Sequence, residues 1–313
     1  MLILKPARVR ESEVVNSIPV VAVILNWKRP AETLACLQAL GDQLPVVVVD
    51  NGSGDDSLEL IRSARPDVPL LVLDENRGYT GGNNAGIHWA LAQNCEWVLL
   101  LNDDVILAPD ALEIMLAAGQ ANPRAGFVGP LVLHAQPAGL IQSAGGWLDK
   151  RWRSGHRGAN QPDNGQYQQV ESLPWLSGCA LLVRSQMIRE IGMLDERFFL
   201  YEEELEWCLR ARQAGWDALF VPQAKAWHAG VTPDYEPGPY ITYYMTRNHF
   251  LLLSKLHAGW LPRLDAAAQA LRTLLSWTFK PRWRGKRAHR DALWRGLLDY
   301  LHARWGPMTP QSR

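Results

Sequence analysis

Three carboxylate groups and one histidine stand where side chains of their type can do chemistry. Asp103 and Asp104 follow the apolar run Val98-Leu99-Leu100-Leu101 through Asn102, so two adjacent acids drop off the end of a strand that reads as fully buried. Open α/β sheets bind ligands at the carboxyl ends of their strands, and hard oxygen ligands suit Mg2+ or Mn2+ held against phosphate. The same acids could instead cap the helix that Pro109 and Asp110 open. Asp50 ends the run Val46-Val47-Val48-Val49 and begins Asp-Asn-Gly-Ser-Gly. Its carboxylate would project into the same crevice, to accept hydrogen bonds from a base or ribose, or it would start an Asx turn. Glu202, Glu203, Glu204 and Glu206 cluster behind Phe198-Phe199-Leu200. Carboxylates crowded beside apolar residues raise one another's pKa, as a general base requires. An acidic first helical turn that merely complements the macrodipole has the same appearance, and Glu206 also has ion-pair spacing to Arg210. His228, in Ala226-Trp227-His228-Ala229-Gly230, is either a packed histidine or a neutral imidazole that joins an aspartate at a divalent metal.

The elements that must position these groups alternate short β-branched runs with helical patterns, the signature of a mostly parallel sheet covered by helices. Strands are expected over residues 20–25, 46–49, 70–73, 97–101 and 127–133, with helices over 30–40 and from Asp55 or Asp56 to about Ala64. The segment 75–86 combines glycines with Arg77 and several amides. It reads as a loop whose backbone can approach phosphate or ribose oxygens before a helix that runs to about Asn94, or as a tight structural turn. Over residues 134–174 the periodicity is lost, which predicts a long functional loop or short irregular strands. Regular order resumes with a strand at 180–183, a helix at 203–214 and a short strand at 219–221.

With 313 residues, 47% apolar and 20% charged, the chain buries a real core. Thirty-two basic residues balance 32 acidic ones, so no global field suggests a nucleic-acid partner. The balance is uneven, however: residues 258–313 hold eleven Lys/Arg against three Asp, a basic tail on an acidic body. The four cysteines show no CxxC pairing, which predicts free thiols in a reducing cytoplasm. Charges interrupt residues 1–17, too often for a secretory signal, and no apolar run reaches the roughly 20 residues that span a bilayer.

Taken together, these segments resemble glycosyltransferase family 2, with the nucleotide-sugar-binding GT-A fold. The text that carries the resemblance is Val23-Ile24-Leu25-Asn26-Trp27-Lys28-Arg29-Pro30, Val48-Val49-Asp50-Asn51-Gly52-Ser53, Glu75-Asn76-Arg77-Gly78, Gly81-Gly82-Asn83-Asn84 and Leu101-Asn102-Asp103-Asp104. It continues through Trp175-Leu176-Ser177-Gly178-Cys179, Asp195-Glu196-Arg197-Phe198-Phe199 and Glu203-Glu204-Leu205-Glu206-Trp207-Cys208-Leu209-Arg210. The nearest likeness is to bacterial polysaccharide-building and rhamnosyltransferase-like members.

The resemblance implies a Rossmann-like central sheet, a nucleoside-diphosphate sugar (UDP- or dTDP-sugar) as donor, and a saccharide or lipid-linked acceptor. It assigns Asn26, Asp50, Asn51, Arg77, Gly78, Gly82, Asn83 and Asp103 to the donor, and Asp104 and His228 to Mg2+ or Mn2+. Glu203 and Glu204 fall to catalysis, with Glu204 as base and the sugar centre inverted. Trp147, Trp175, Gly178 and Glu206 are the candidate sugar and acceptor contacts. Two departures stand out: the usual Asp-x-Asp is Asn102-Asp103-Asp104, and the usual Glu-Asp pair is Glu203-Glu204.

The expected organisation is an N-terminal extension (1–19), a catalytic domain (20–257) and a basic helical tail (258–313) in a cytoplasmic protein, peripheral on the inner face of the membrane. Trp and Arg on amphipathic helices suit an anionic surface. Residues 266–275 read as a helical cap on the body and 279–304 as the membrane contact. Two other classes compete, a non-catalytic module that binds nucleotide sugar or polysaccharide and a sugar nucleotidyltransferase. The latter calls for a glycine-rich basic phosphate loop after the first strand, where this chain has Asn26-Trp27-Lys28-Arg29-Pro30.

Overall fold

A computed structural model describes residues 18–308 apart from Gln43 and Val231, so most of the expected extension 1–19 lies outside the described residues. In chain order the first half runs β1 (Ile18–Asn26), α1 (Pro30–Leu40), β2 (Val46–Asp50), α2 (Ser57–Ala64), β3 (Leu70–Val72), α3 (Gly78–Ala92), β4 (Cys95–Asn102), β5 (Val105–Leu107), α4 (Ala111–Ala121) and β6 (Ala125–His134). The irregular stretch holds β7 (Ile141–Ser143), β8 (Gly146–Leu148), β9 (Ser154–His156) and β10 (Glu171–Ser172). Then come β11 (Ala180–Arg184), α5 (Ser185–Ile191), α6 (Glu203–Gln213) and β12 (Asp217–His228). The chain closes with α7 (Pro239–Lys255), α8 (Trp260–Phe279), a 3-10 turn over Pro281–Lys286 and α9 (Arg287–Leu301).

The sheet order is β10-β12-β6-β11-β4-β1-β2-β3. Strands β4, β1, β2 and β3 are parallel, as are β6 and β12, while β11 joins the two blocks antiparallel to both β4 and β6. Alternate residues of one strand enter different cores: Val21 and Val23 pack on one face of the sheet, Val20, Ala22 and Ile24 on the other. Burial on both faces is why the strands read as continuous apolar runs. The α/β architecture is the expected GT-A-type, Rossmann-like sheet flanked by helices.

Three expectations are corrected. The glycine-rich segment is not a loop that precedes a helix; α3 begins at Gly78 and contains it. A Cβ on Gly82 would lie 2.4 Å from Leu25 Cδ1, and one on Gly86 would lie 2.1 Å from Val23 Cγ1, so these glycines let the helix approach the sheet closely. The short strand expected at 219–221 continues to His228, because a register shift between Val221 and Lys225 absorbs Pro222. In the tail the burial is reversed. Helix α9 packs on α7, with Ala292, Leu293 and Asp299 buried and Tyr243 Oη donating to Asp299 Oδ2 at 2.9 Å. Helix α8, which contains the expected cap 266–275, instead carries the exposed apolar side chains.

Candidate active site

The strands deliver the acids to one edge. Parallel register sets Asn26 opposite Asp50 and Leu25 opposite Asn102, so the ends of β1, β2 and β4 share one crevice. Asp50 is buried, and its Oδ1 accepts hydrogen bonds from Asn26 Nδ2 (2.8 Å) and Ser53 Oγ (2.5 Å). Asn26 is itself fixed by Thr33 Oγ1 at 2.9 Å, so it orients Asp50. Asn51 Nδ2 donates to Gly78 O (3.0 Å), and its Oδ1 accepts from Arg77 N (3.0 Å), which pins the turn before α3.

The partly buried end of β12 answers a question that chain order leaves open. His228 pairs with Val105 of β5, which places the imidazole beside Asp104. Nε2 lies 2.9 Å from Asp104 Oδ1, yet that buried oxygen has no hydrogen-bond partner among the described residues. Nδ1 lies 2.6 Å from Gln142 Oε1. An amide oxygen can only accept, so Nδ1 carries a proton and Nε2 faces the carboxylate, donating to it in the protonated ring and presenting a lone pair beside it in the neutral ring, the form that binds a cation. Two acceptors held 2.9 Å apart have the spacing of neighbouring ligands around an octahedral ion with bonds of about 2.0–2.1 Å, and the Gln142 contact is the outer-shell bond that orients a metal-binding histidine. No group of three or more His, Cys, Asp or Glu forms a closed metal cage among the described residues. A two-ligand site fits a cation that completes its shell with water and substrate phosphate.

Arg29 Nη1 contacts Asp104 Oδ2 at 2.5 Å and Asp103 Oδ1 at 3.7 Å. Burial raises both aspartates, but the His228 and Arg29 contacts outweigh it for Asp104 and hold that carboxyl below its usual range. Asp103, buried beside a second carboxylate, is pushed up to about 7.

Glu203 and Glu204 open α6 from its first turn. Each leaves a buried Oε2 without a partner, and neither is paired with a cation among the described residues. Burial raises both carboxyls. Repulsion from Glu204 adds to it for Glu203, and repulsion from Glu202 adds to it for Glu204, whose backbone hydrogen bonds partly oppose the rise. The turn that delivers them is strained, since Phe199, Tyr201 and Glu202 all have positive φ. Helix α7 holds it: Asn248 Nδ2 donates to the carbonyls of Phe198 (2.9 Å), Leu200 (2.8 Å) and Tyr201 (2.8 Å). Arg247, fully buried, donates to the carbonyls of Phe198 and Arg197.

Two adjoining cavities, of about 510 and 420 Å³, share Tyr79, Asn102 and Leu200 as a common wall. Leu25, Trp27, Arg29, Asn51, Gly78 and Asp103 line the first, opposite Tyr240, Tyr244 and Met308 from the C-terminal layer. The second contains Gly178, Glu203, Glu204 and His228, with Gln142 and His156 from the irregular stretch.

Several expected site residues lie elsewhere. Gly82 packs under the sheet, and Asn83 is buried, with Nδ2 donating to Tyr79 O at 2.9 Å. Arg77 pairs with Glu196 at 2.9 Å. Glu206 is fully buried, bound to Arg210 (2.8 Å) and Lys255 (3.1 Å), which makes it the ion-pair residue. Trp147 is exposed, and Trp175 is buried beneath it, donating from Nε1 to Trp147 O at 3.2 Å. Conversely, the sequence alone assigns no role to Trp27, Arg29, Tyr79, Gln142, Arg247 or Asn248. Arg29 had a signal, its place after the first strand in the crevice shared with Asp104. Gln142 and Asn248 had none, because each acts on a residue far away in sequence.

The family model for glycosyl transferase family 2 matches residues 21–192. The chain is 28% identical over 270 residues to the N-acetylglucosaminyl-diphospho-decaprenol L-rhamnosyltransferase of Mycobacterium tuberculosis, covering 78% of this chain and 86% of that one. It is 27% identical over 252 residues to the dTDP-rhamnosyl transferase RfbF of Shigella flexneri, covering 75% and 80%. In fold it is similar to the mannosyltransferase PcManGT from Pyrobaculum calidifontis in complex with GDP-Man and Mn2+, with a TM-score of 0.54, 16% identity and coverage of 92% and 88%. With the model matching more than half of its length, this chain belongs to glycosyl transferase family 2.

Proposed function

We propose that this protein is an inverting, metal-dependent glycosyltransferase of cell-surface polysaccharide synthesis. It moves a sugar from a dTDP- or UDP-sugar to a hydroxyl of a saccharide or lipid-linked acceptor. The carrying observation is that Asp103 lines one cavity while Glu203, Glu204 and His228, the neighbour of Asp104, line the cavity that shares a wall with it. Rhamnose is the donor sugar suggested by the relatives' names.

In this reading the nucleoside lies in the first cavity, against Leu25, Trp27 and Asn51, with Asp50 beneath it. Asp104 and His228 hold Mg2+ or Mn2+, which when bound stabilises the charge on a departing diphosphate. Arg29 adds a fixed positive charge at the same place. Glu204 takes the proton of the acceptor hydroxyl as that oxygen bonds to the anomeric carbon and the bond from that carbon to the diphosphate oxygen breaks. Glu203 orients the acceptor. Direct displacement inverts the centre. Residues 20–257 are the catalytic unit and 258–313 an appended basic layer, in a protein working at the cytoplasmic face of a membrane.

Incubation with UDP-, dTDP- and GDP-sugars, with and without chelator, tests the reading. Metal-dependent release of nucleoside diphosphate in the presence of acceptor is expected. Release of pyrophosphate would instead identify a nucleotidyltransferase, and binding without turnover a non-catalytic module.

A further inference from the structure

Helix α8 has two apolar faces, and only one is covered. Pro262 and Ala266 turn inward, where Ala266 packs with Leu253 and Ala258. On the opposite side Trp260, Leu261, Leu264, Leu271, Leu275 and Phe279 fall within about one third of the helical circumference, at 49–75% exposure. That outward stripe carries no charge. Exposed Arg263, Arg272, Lys280, Arg282 and Arg284 border it along the helix and the following turn. The one acid of α8, Asp265, is drawn back to the body by Arg151 at 3.0 Å.

We propose that this outward face of α8 docks into an anionic lipid surface. A stripe of Trp, Leu and Phe rimmed by Lys and Arg is what the boundary between headgroups and acyl chains binds, through apolar burial plus attraction to anionic lipid. No helix among the described residues is long and apolar enough to cross a membrane, so α8 lies on the surface. A second copy of this chain is the competing occupant. Pairing α8 with itself would bring two like-charged rims together, which charge complementarity to anionic lipid avoids. Continuity with the site supports the choice. A cavity of about 580 Å³ between α7, α8 and α9 has Ala266, Ala270 and Thr273 of α8 on one wall and Glu202 and His249 on another. The helix whose outer face meets lipid therefore borders, on its inner face, a cavity that reaches Glu202 in the turn before Glu203. The surface stands on its own geometry, while its use, admitting a lipid-linked acceptor to Glu204, rests on the transferase reading above.

The test uses the full chain with vesicles of phosphatidylcholine, with or without phosphatidylglycerol. The wild type is expected to sediment with the anionic vesicles, less so as salt rises. Leu271→Glu/Leu275→Glu should weaken partitioning by roughly tenfold or more, and Arg282→Gln/Arg284→Gln by roughly fivefold per charge at low salt. Both variants should keep the wild-type melting temperature and transfer to a soluble saccharide. If the leucine variant unfolds, the arginine variant decides. Wild-type protein that stays in the supernatant, or variants that sediment unchanged, would overturn the proposal, as would a leucine variant that only converts a dimer to monomer. Transfer to a soluble acceptor without vesicle binding would defeat the docking and leave the enzyme; vesicle binding without transfer would do the reverse.

Discussion

Two carboxylate pairs lie beside adjoining cavities, and their surroundings set them apart. Asp104 has Arg29 at 2.5 Å and the His228 imidazole at 2.9 Å, and its carboxyl is held below the ordinary range. Glu203 and Glu204 have buried oxygens without partners, and both carboxyls are raised. In the first pair Asp104 is built to stay charged beside positive charge, while Asp103 is pushed up. The second, buried without a cation, favours its protonated form. Residue type does not distinguish them; cations and water do, since environments that drive like groups apart in pKa are how acid–base roles are divided.

Removing the proton acceptor is expected to have the largest effect. Glu204→Gln preserves size, so transfer at saturating donor should fall by roughly 10²–10⁴-fold with donor affinity nearly unchanged. Near-normal turnover would sink Glu204 as base and move that role to Glu203.

The contrast also depends on the strained turn before α6. Left-handed conformations at ordinary residues cost about 1–3 kcal/mol each, and Asn248 offsets this at three carbonyls. Asn248→Ala should lower kcat about 10²-fold, as a small misplacement of a reacting group does, while leaving donor affinity intact. Parallel losses of kcat and donor binding would show a general structural role instead.

At the other pair, Asp104→Asn should abolish the dependence of donor binding on divalent metal. Gln142→Ala should weaken metal affinity by roughly 10–100-fold without touching a ligand. Titration calorimetry of metal in the presence of nucleoside diphosphate reads both, and an unaltered Gln142→Ala isotherm would remove the outer-shell role.

The smallest effects concern pH. If Glu204 is the base proposed above, it works as the anion, and because its carboxyl is raised the acid limb of kcat should lie above the ordinary glutamate value of about 4.3. Glu202→Gln removes a repelling charge and should move the limb to lower pH. A carboxyl raised by folding stabilises the folded state below its unfolded pKa, and that contribution is lost as pH rises through the folded value. Glu203→Gln should therefore melt with the wild type near pH 4 and above it at pH 8. Equal melting temperatures at both would show that Glu203 is not desolvated.

Much of the scaffold was legible from local pattern. Helix α1 occupies residues 30–40 as expected, and each early strand was recognised within a few residues, because apolar runs and capping signals act over a few neighbours. Asp50, Asp103, Asp104, Glu203 and Glu204 stood out for the same reason, as acids beside apolar segments, and the structure places them at the ends of β2 and β4 and in the first turn of α6. Glu206 shows the limit. It belongs to the same acidic turn, yet Lys255 from a distant helix makes it structural.

The sequence by itself determined the order of elements, the sheet edge where the acids gather and the family. Tertiary structure decided the rest. Pairing of β5 with β12 brings His228 to Asp104, Asn248 reaches back from α7 to hold the turn before α6, and α9 covers α7 while the outer face of α8 remains exposed. Periodicity reports that a helix has an apolar face, whereas what covers that face depends on contacts between residues far apart in the chain. For that reason the Trp-rich tail was legible as amphipathic, and which of its helices would face outward was not.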